Sequence, residues 1–200
     1  NSSVRWIGKG ISRFRSLRLS YAGEHLSFAI EPYHFDNENL EYTVPVRKGI
    51  YKRMNDTRPH EESPIVLSGV REFQLLFHLR GVGVGVSNAN MWWGPGLHSS
   101  LQMSTNAPGF RYFTFGTVGE KRIKNLGFDM RYIFSPMDDK NRGKPYFSTL
   151  LFSATYYSNP QFTLGFSRSY LSGQGAGHQS DWSYISLKDA MMLPFEELFL

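Results

Sequence analysis

The stretch from Gly81 to Phe110 contains no Asp, Glu, Lys or Arg, and His98 is its only side chain that titrates near neutrality. Within it runs Ser87-Asn88-Ala89-Asn90-Met91-Trp92-Trp93-Gly94-Pro95-Gly96. Pro95 fixes its own φ, and the flanking glycines open turn geometries closed to other residues. Successive residues of an extended chain point to opposite faces, so Trp92 and Trp93 diverge. One ring can pack inward while the other turns outward, toward lipid or a sugar. Indole faces suit the C–H faces of sugars, and side-chain amides suit their hydroxyls. Trp92 and Trp93, with Asn88 and Asn90 beside them, are the residues singled out for contact with a sugar. The competing reading makes both rings anchors of a tight corner.

Other chemistries are weaker. Carboxylates are adjacent at Glu61-Glu62, Asp138-Asp139 and Glu196-Glu197. A glycosidase needs two carboxyl groups that face one another, and sequence neighbours in a strand diverge, so these read as solvated loop charges. The histidines His25, His34, His60, His78, His98 and His178 show no zinc spacing. His98-Ser99-Ser100 has no orienting acid at any telling distance, and a triad needs one. Gly81-x-Gly83-x-Gly85 precedes a tryptophan corner and not a helix, which removes the dinucleotide reading. The chain has no Cys, so disulfides, Cys-zinc sites and thiol chemistry are excluded. No enzyme activity, cofactor or metal is expected.

The elements that must position the tryptophan corner alternate with period two. Leu17, Leu19 and Tyr21 face Leu26, Phe28 and Ile30 across Ala22-Gly23-Glu24, a hairpin read as ending at Pro32. Residues 33–69 are polar and mixed in charge, and read as a long excursion between strands. Phe73, Leu75 and Phe77 resume the alternation. Its phase flips at Leu79-Arg80-Gly81, which predicts a turn or a bulge. Val82, Val84 and Val86 then alternate with Gly83 and Gly85, leaving one face bare for backbone, an aromatic ring, a ligand or a large neighbouring side chain. Strands follow over 110–116, 124–134, 146–157 and 161–170, eight or nine in all. Pro136 to Pro145 and Ser172 to Asp181 read as loops. Only Leu187 to Phe199 reads as helical, with Pro194 a potential break.

The formal charge is 22 − 17 = +5 and is spread along the chain, unlike the basic stripe of a nucleic-acid binder. Aromatic residues make up 16% and apolar residues 40%, a balance unlike that of a disordered chain. No apolar run is long enough for a transmembrane helix. A membrane barrel needs none, because its strands cross in about ten alternating residues. Its polar face carries Ser, Thr, Gly and Asn, where a soluble sandwich would favour Lys, Glu and Arg. The polar partners here are mostly of the first kind. Tyr33, Tyr132, Phe134, Tyr146, Tyr156, Tyr157 and Tyr170 stand near predicted strand ends, which fits interfacial girdles and also ordinary edge packing. The expected fold is all-β, with a short helical segment near the C-terminus: an antiparallel transmembrane β-barrel of outer-membrane type, with a soluble β-sandwich or jelly roll left open by the composition. Residues 1–200 would form part of that one domain. Arg13 and Arg15 share a strand face that suits an acidic polysaccharide, a lipid phosphate or a solvated rim.

The run from Ser87 to Gly96, with Ser99-Ser100-Leu101-Gln102-Met103-Ser104-Thr105-Asn106-Ala107-Pro108-Gly109-Phe110 after it, resembles the signature of the Wzi-like capsule assembly family. That signature runs roughly S-N-x-N-x-W-W-G-P-G, then S-L-x-x-S-x-N-A-P-G-F. Thr163-Leu164-Gly165-Phe166-Ser167-Arg168-Ser169 is similar to a later family segment, L-G-x-[ST]-R. The resemblance implies an outer-membrane barrel of a Gram-negative cell, acting as a lectin. Its partners would be capsular or other surface polysaccharide and outer-membrane lipid, with no nucleic acid. The family barrel is longer, so this chain, which starts with Asn, is expected to be a processed or internal piece. A passive porin and a surface glycan hydrolase are the alternatives.

Overall fold

The computed structural model describes residues 9–41, 64–93, 100, 103, 109–137, 145–172 and 187–196. The alternating segments form β1 (Ser12–Ser16), β2 (Leu19–Ala22), β3 (Leu26–Asn37), β4 (Ile65–Leu79), β5 (Val82–Ser87), β6 (Tyr112–Thr117), β7 (Lys121–Ile123), β8 (Leu126–Pro136), β9 (Tyr146–Tyr156) and β10 (Phe162–Ser172). One helix, α1 (Leu187–Glu196), follows. All ten strands join one antiparallel sheet, in the order β1-β3-β4-β5-β6-β8-β9-β10. β2 also pairs with β3, and β7 with β8, so each continues an interrupted row. Among the described residues the sheet is an up-and-down meander whose two edges do not meet.

The registers sort the side chains into two faces. Phe28 pairs with Leu75, Leu75 with Val86, Val86 with Phe113 and Phe113 with Phe134. That face is apolar from row to row. Its residues are widely exposed: Leu164 is 75% accessible, Val84 and Phe113 each 55%. Ser, Thr and Gly dominate the opposite face, where Thr149 and Ser135 are buried. The usual order of a water-soluble domain, with large apolar side chains inside, is reversed over most of the sheet.

α1 covers part of the apolar face. Phe195 packs its ring 5.2 Å from that of Tyr132. The Tyr132 hydroxyl donates to the Met191 carbonyl at 2.8 Å. Tyr132, Phe134 and Leu150 form the buried cluster beneath it. Pro194 is buried in the last turn, so the helix runs past the predicted break. Among the described residues no helix is long and apolar enough to cross a membrane.

The connections are lopsided. On one rim they are short: Gly23 to His25, Arg80-Gly81, Lys124-Asn125 and Tyr157 to Gln161. Arg80 and Gly81 have φ of 49° and 80°, as a tight two-residue hairpin requires. On the other rim they are long, spanning 38–64, 88–111 and 137–145.

Two expectations need correcting. The excursion is not 33–69, because 33–37 and 65–69 are strand and pair with one another; residues 42–63 lie outside the described residues. β3 runs through Pro32 because the ladder bulges there: Glu31 opposes Glu72 while Pro32 opposes Val70, leaving Arg71 as the extra residue. A bulge disrupts the local ladder anyway, so the missing proline N–H is tolerated. Tyr33 consequently lies inside a strand and not at its end. Of the occupants expected on the bare glycine face, backbone is the chief one found. A Cβ on Gly85 would lie 2.2 Å from the Leu75 carbonyl oxygen, and one on Gly116 would lie 2.1 Å from that of Met130. At Gly83 the Val118 side chain shares the space with the Phe77 carbonyl. Glycine is what lets these rows coil closely together.

Candidate functional site

The tryptophan corner leaves β5 on the rim of long connections. β5 ends at Ser87, and Asn88 closes its ladder with β4. The Asn88 amide N–H donates to the Phe73 carbonyl at 3.0 Å. The Asn88 side-chain oxygen accepts the Phe73 N–H at 2.5 Å. Ser87 Oγ donates to the same Phe73 carbonyl at 2.8 Å and accepts the Ala89 N–H at 3.0 Å. Small polar side chains thus replace the next rung of strand, which would otherwise be left unpaired.

The second half of the motif folds back onto the first. Trp93 N–H donates to the Met103 carbonyl at 3.1 Å. Gly109 lies against Asn88 so closely that a Cβ there would stand 1.8 Å from the Asn88 carbonyl oxygen. It would also stand 3.0 Å from Asn90 Oδ1. Phe110 sets its ring edge against Tyr112 at 5.9 Å and Phe147 at 5.6 Å. Ser135 Oγ donates to the Arg111 carbonyl at 2.5 Å. Residues 94–99, 101–102 and 104–108 lie outside the described residues, His98 among them.

The four predicted residues thus share one segment but not one situation. Trp92 is 36% exposed; Trp93 and Asn90 are half-buried. Asn88 spends its side-chain oxygen on the β4 backbone, which leaves its NH₂ for other partners. The carboxylate pairs Glu61-Glu62 and Asp138-Asp139 lie outside the described residues, as does Glu197.

Sequence reasoning missed a charge cluster beside this corner. Glu31, on the polar face, is 4% exposed. Arg71 Nε donates to Glu31 Oε1 at 2.8 Å, and its NH2 group reaches Oε2, making a fork. Arg18 stands 2.8 Å from Glu72 and 3.9 Å from Glu31, and Arg71 lies 3.5 Å from Glu72. The bulge puts Arg71 and Glu72 together opposite Glu31, so two acids and two bases meet at one level. Phe73, the residue tied to Asn88, follows Glu72 directly. Strand alternation assigns Arg71 and Glu72 to opposite faces, so nothing short of the register could reveal the cluster.

On the outward face of the same rim, Arg13 and Arg15 both approach Asp36, at 3.8 and 3.3 Å. Among the described residues no His, Cys, Asp or Glu group could hold a metal ion.

A family model described as capsule assembly protein Wzi matches residues 16–187. The chain belongs to the Wzi capsule assembly family. The match spans every strand from the second onward, together with the tryptophan corner and the whole of the charge cluster. In this Wzi-family chain the motif Ser-Asn-x-Asn and the later Gly109-Phe110 are the two sides of one folded corner. Comparison with curated proteins and with solved structures finds no match for the chain.

Proposed function

We propose that this chain forms part of an outer-membrane β-barrel that binds surface polysaccharide, as a lectin and not an enzyme, and so helps to assemble or attach the capsule. Family membership supplies capsule assembly. The observation that carries the rest is the exposed apolar face. β8, β9 and β10 are each 11 residues long, close to the ~9–11 that a tilted strand needs to cross a bilayer. Acyl chains against Val84, Phe113 and Leu164 would turn a liability in water into a favourable contact. Tyr21 and Tyr156, near the short turns, and Tyr146, near a long connection, fit the two interfacial girdles.

Outer-membrane barrels keep short turns on the periplasmic side and longer loops outside. That rule places the long connections, and with them the tryptophan corner, at the cell surface. Trp92 would stack on a sugar ring, with Trp93 and Asn90 beside it. Asn88 would shape the corner through β4 and offer its NH₂ to a hydroxyl. The test replaces Trp92 and Trp93 by Ala and measures capsule retained on cells, together with binding of purified capsule polysaccharide to the folded protein. Both should fall. Full retention and binding with folded protein would remove the two rings from the site.

The porin alternative predicts conductance through single channels without affinity for polysaccharide. The hydrolase alternative predicts cleavage of purified capsule that a carboxylate substitution abolishes.

A further inference from the structure

The outward face has a notch below the tryptophan corner. β5 stops at Ser87, whereas β4 runs on past Phe73 to Ile65, so among the described residues no strand lies between β4 and β6 there. The gap is a cavity of about 750 Å³ whose apolar lining is Ile30, Val70, Phe73, Val86, Phe113 and Pro136; Asn88 and Arg111 line it too, as do Ser87 and Tyr112 from the opposite face. The strand registers put Ile30, Phe73, Val86 and Phe113 on the exposed apolar face. Val70 pairs with Pro32, two residues beyond Ile30 on β3, and so shares that face. On that side the notch meets whatever wets that face. Arg111 is exposed, and among the described residues it makes no ion pair with a carboxylate. Farther along the same rim, Arg13 and Arg15 share the single carboxylate Asp36, which leaves one positive charge in excess.

We propose that this notch binds a phosphorylated, acylated glycolipid of the outer leaflet: an acyl chain fills the cavity, and a phosphate sits on the Arg111 guanidinium. The inference rests on the outer-membrane reading given above. An apolar cavity open to hydrocarbon gains by filling with a chain, because empty space forfeits contacts along its lining. A guanidinium presents paired donors that match phosphate oxygens. The leaflet on the long-loop side of such a membrane is built of phosphorylated glycolipid with several acyl chains. A second cationic point at Arg13 and Arg15 suits a head group that carries more than one phosphate. Bound there, the lipid would brace the corner from below, through Asn88.

The test uses the protein purified in detergent and exchanged into phosphatidylethanolamine nanodiscs that contain lipid A, dephosphorylated lipid A or phosphatidylglycerol. Lipid retained after washing is counted by native mass spectrometry. Wild type should retain lipid A above the other two. Arg111→Gln should lower retention ~fivefold, the effect of one arginine at an anionic surface, while Arg111→Lys keeps much of it. Val70→Trp, which fills the notch, should lower it as well. Lys124→Gln on the opposite rim should change nothing. Each variant is first checked for the heat-modifiable mobility of a folded barrel; if Val70→Trp fails that check, Arg111→Gln decides. Wild-type retention in Arg111→Gln, or equal retention of phosphatidylglycerol, overturns the proposal. A protein that stays monodisperse without detergent overturns the membrane reading instead.

Discussion

Gly109 and Asn88 touch backbone to backbone: a Cβ at position 109 would lie 1.8 Å from the Asn88 carbonyl oxygen. The contact joins the two halves of the family motif across the segment between them. Replacing Gly109 by Ala should force the halves apart, at a cost of ~1–3 kcal/mol for an overpacked contact. The check is a urea titration of the folded protein alongside polysaccharide binding. The expected outcome is a lower midpoint and weaker binding. An unchanged midpoint would mean the corner has room to yield.

In the proposed function Asn88 has two separable roles, shaping the corner and binding a hydroxyl. Its side-chain oxygen holds the Phe73 N–H at 2.5 Å. Asn88→Ala leaves that donor unpaired and should cost ~1–3 kcal/mol. Asn88→Asp keeps an acceptor in place and should preserve stability better, while losing the NH₂ offered to a hydroxyl. Comparing the two in unfolding and in polysaccharide binding assigns each role to its atom. Equal stability for both variants would contradict the ladder-closing role.

The fork between Arg71 and Glu31 locks the bulge. Glu31→Ala leaves Arg71 with Glu72 alone and strands a cation against the sheet. Removing one partner of a fully buried pair costs ~3–5 kcal/mol. Arg71 keeps 28% of its side chain exposed, so the loss should be smaller, ~1–3 kcal/mol. Replacing both residues by apolar ones of similar size should recover part of it. A double-mutant cycle in urea measures the coupling, and a coupling near zero would show that the pair contributes nothing to the bulge.

Much of this fold is legible in the chain because alternation is a local signal. Phe73, Leu75 and Phe77 declare a strand with one greasy face, and the phase flip at Arg80-Gly81 marks a true hairpin. β7 leaves no such trace, since Lys121-Arg122-Ile123 is too short to alternate. Pro32 misleads because proline ordinarily ends a ladder, and only the register shows the bulge that accommodates it. The corner announces itself through Trp92 and Trp93. The engagement of Asn88 with β4 and its contact with Gly109 depend on backbone positions set by distant residues. The same holds for the meeting of Arg18, Glu31, Arg71 and Glu72, which lie on three different rows of the sheet.

If the apolar face lies in a membrane as proposed, the tryptophan corner stands outside the cell. The absence of Cys from the chain permits a clean reading of sidedness. Trp92→Cys places one thiol at the corner, and Lys124→Cys places one in the tight turn on the opposite rim. Intact cells that lack capsule are treated with a membrane-impermeant maleimide, before and after the outer membrane is permeabilised. The account predicts labelling at position 92 in intact cells and at position 124 only after permeabilisation. Equal labelling at both positions in intact cells, or labelling at 124 alone, would contradict it.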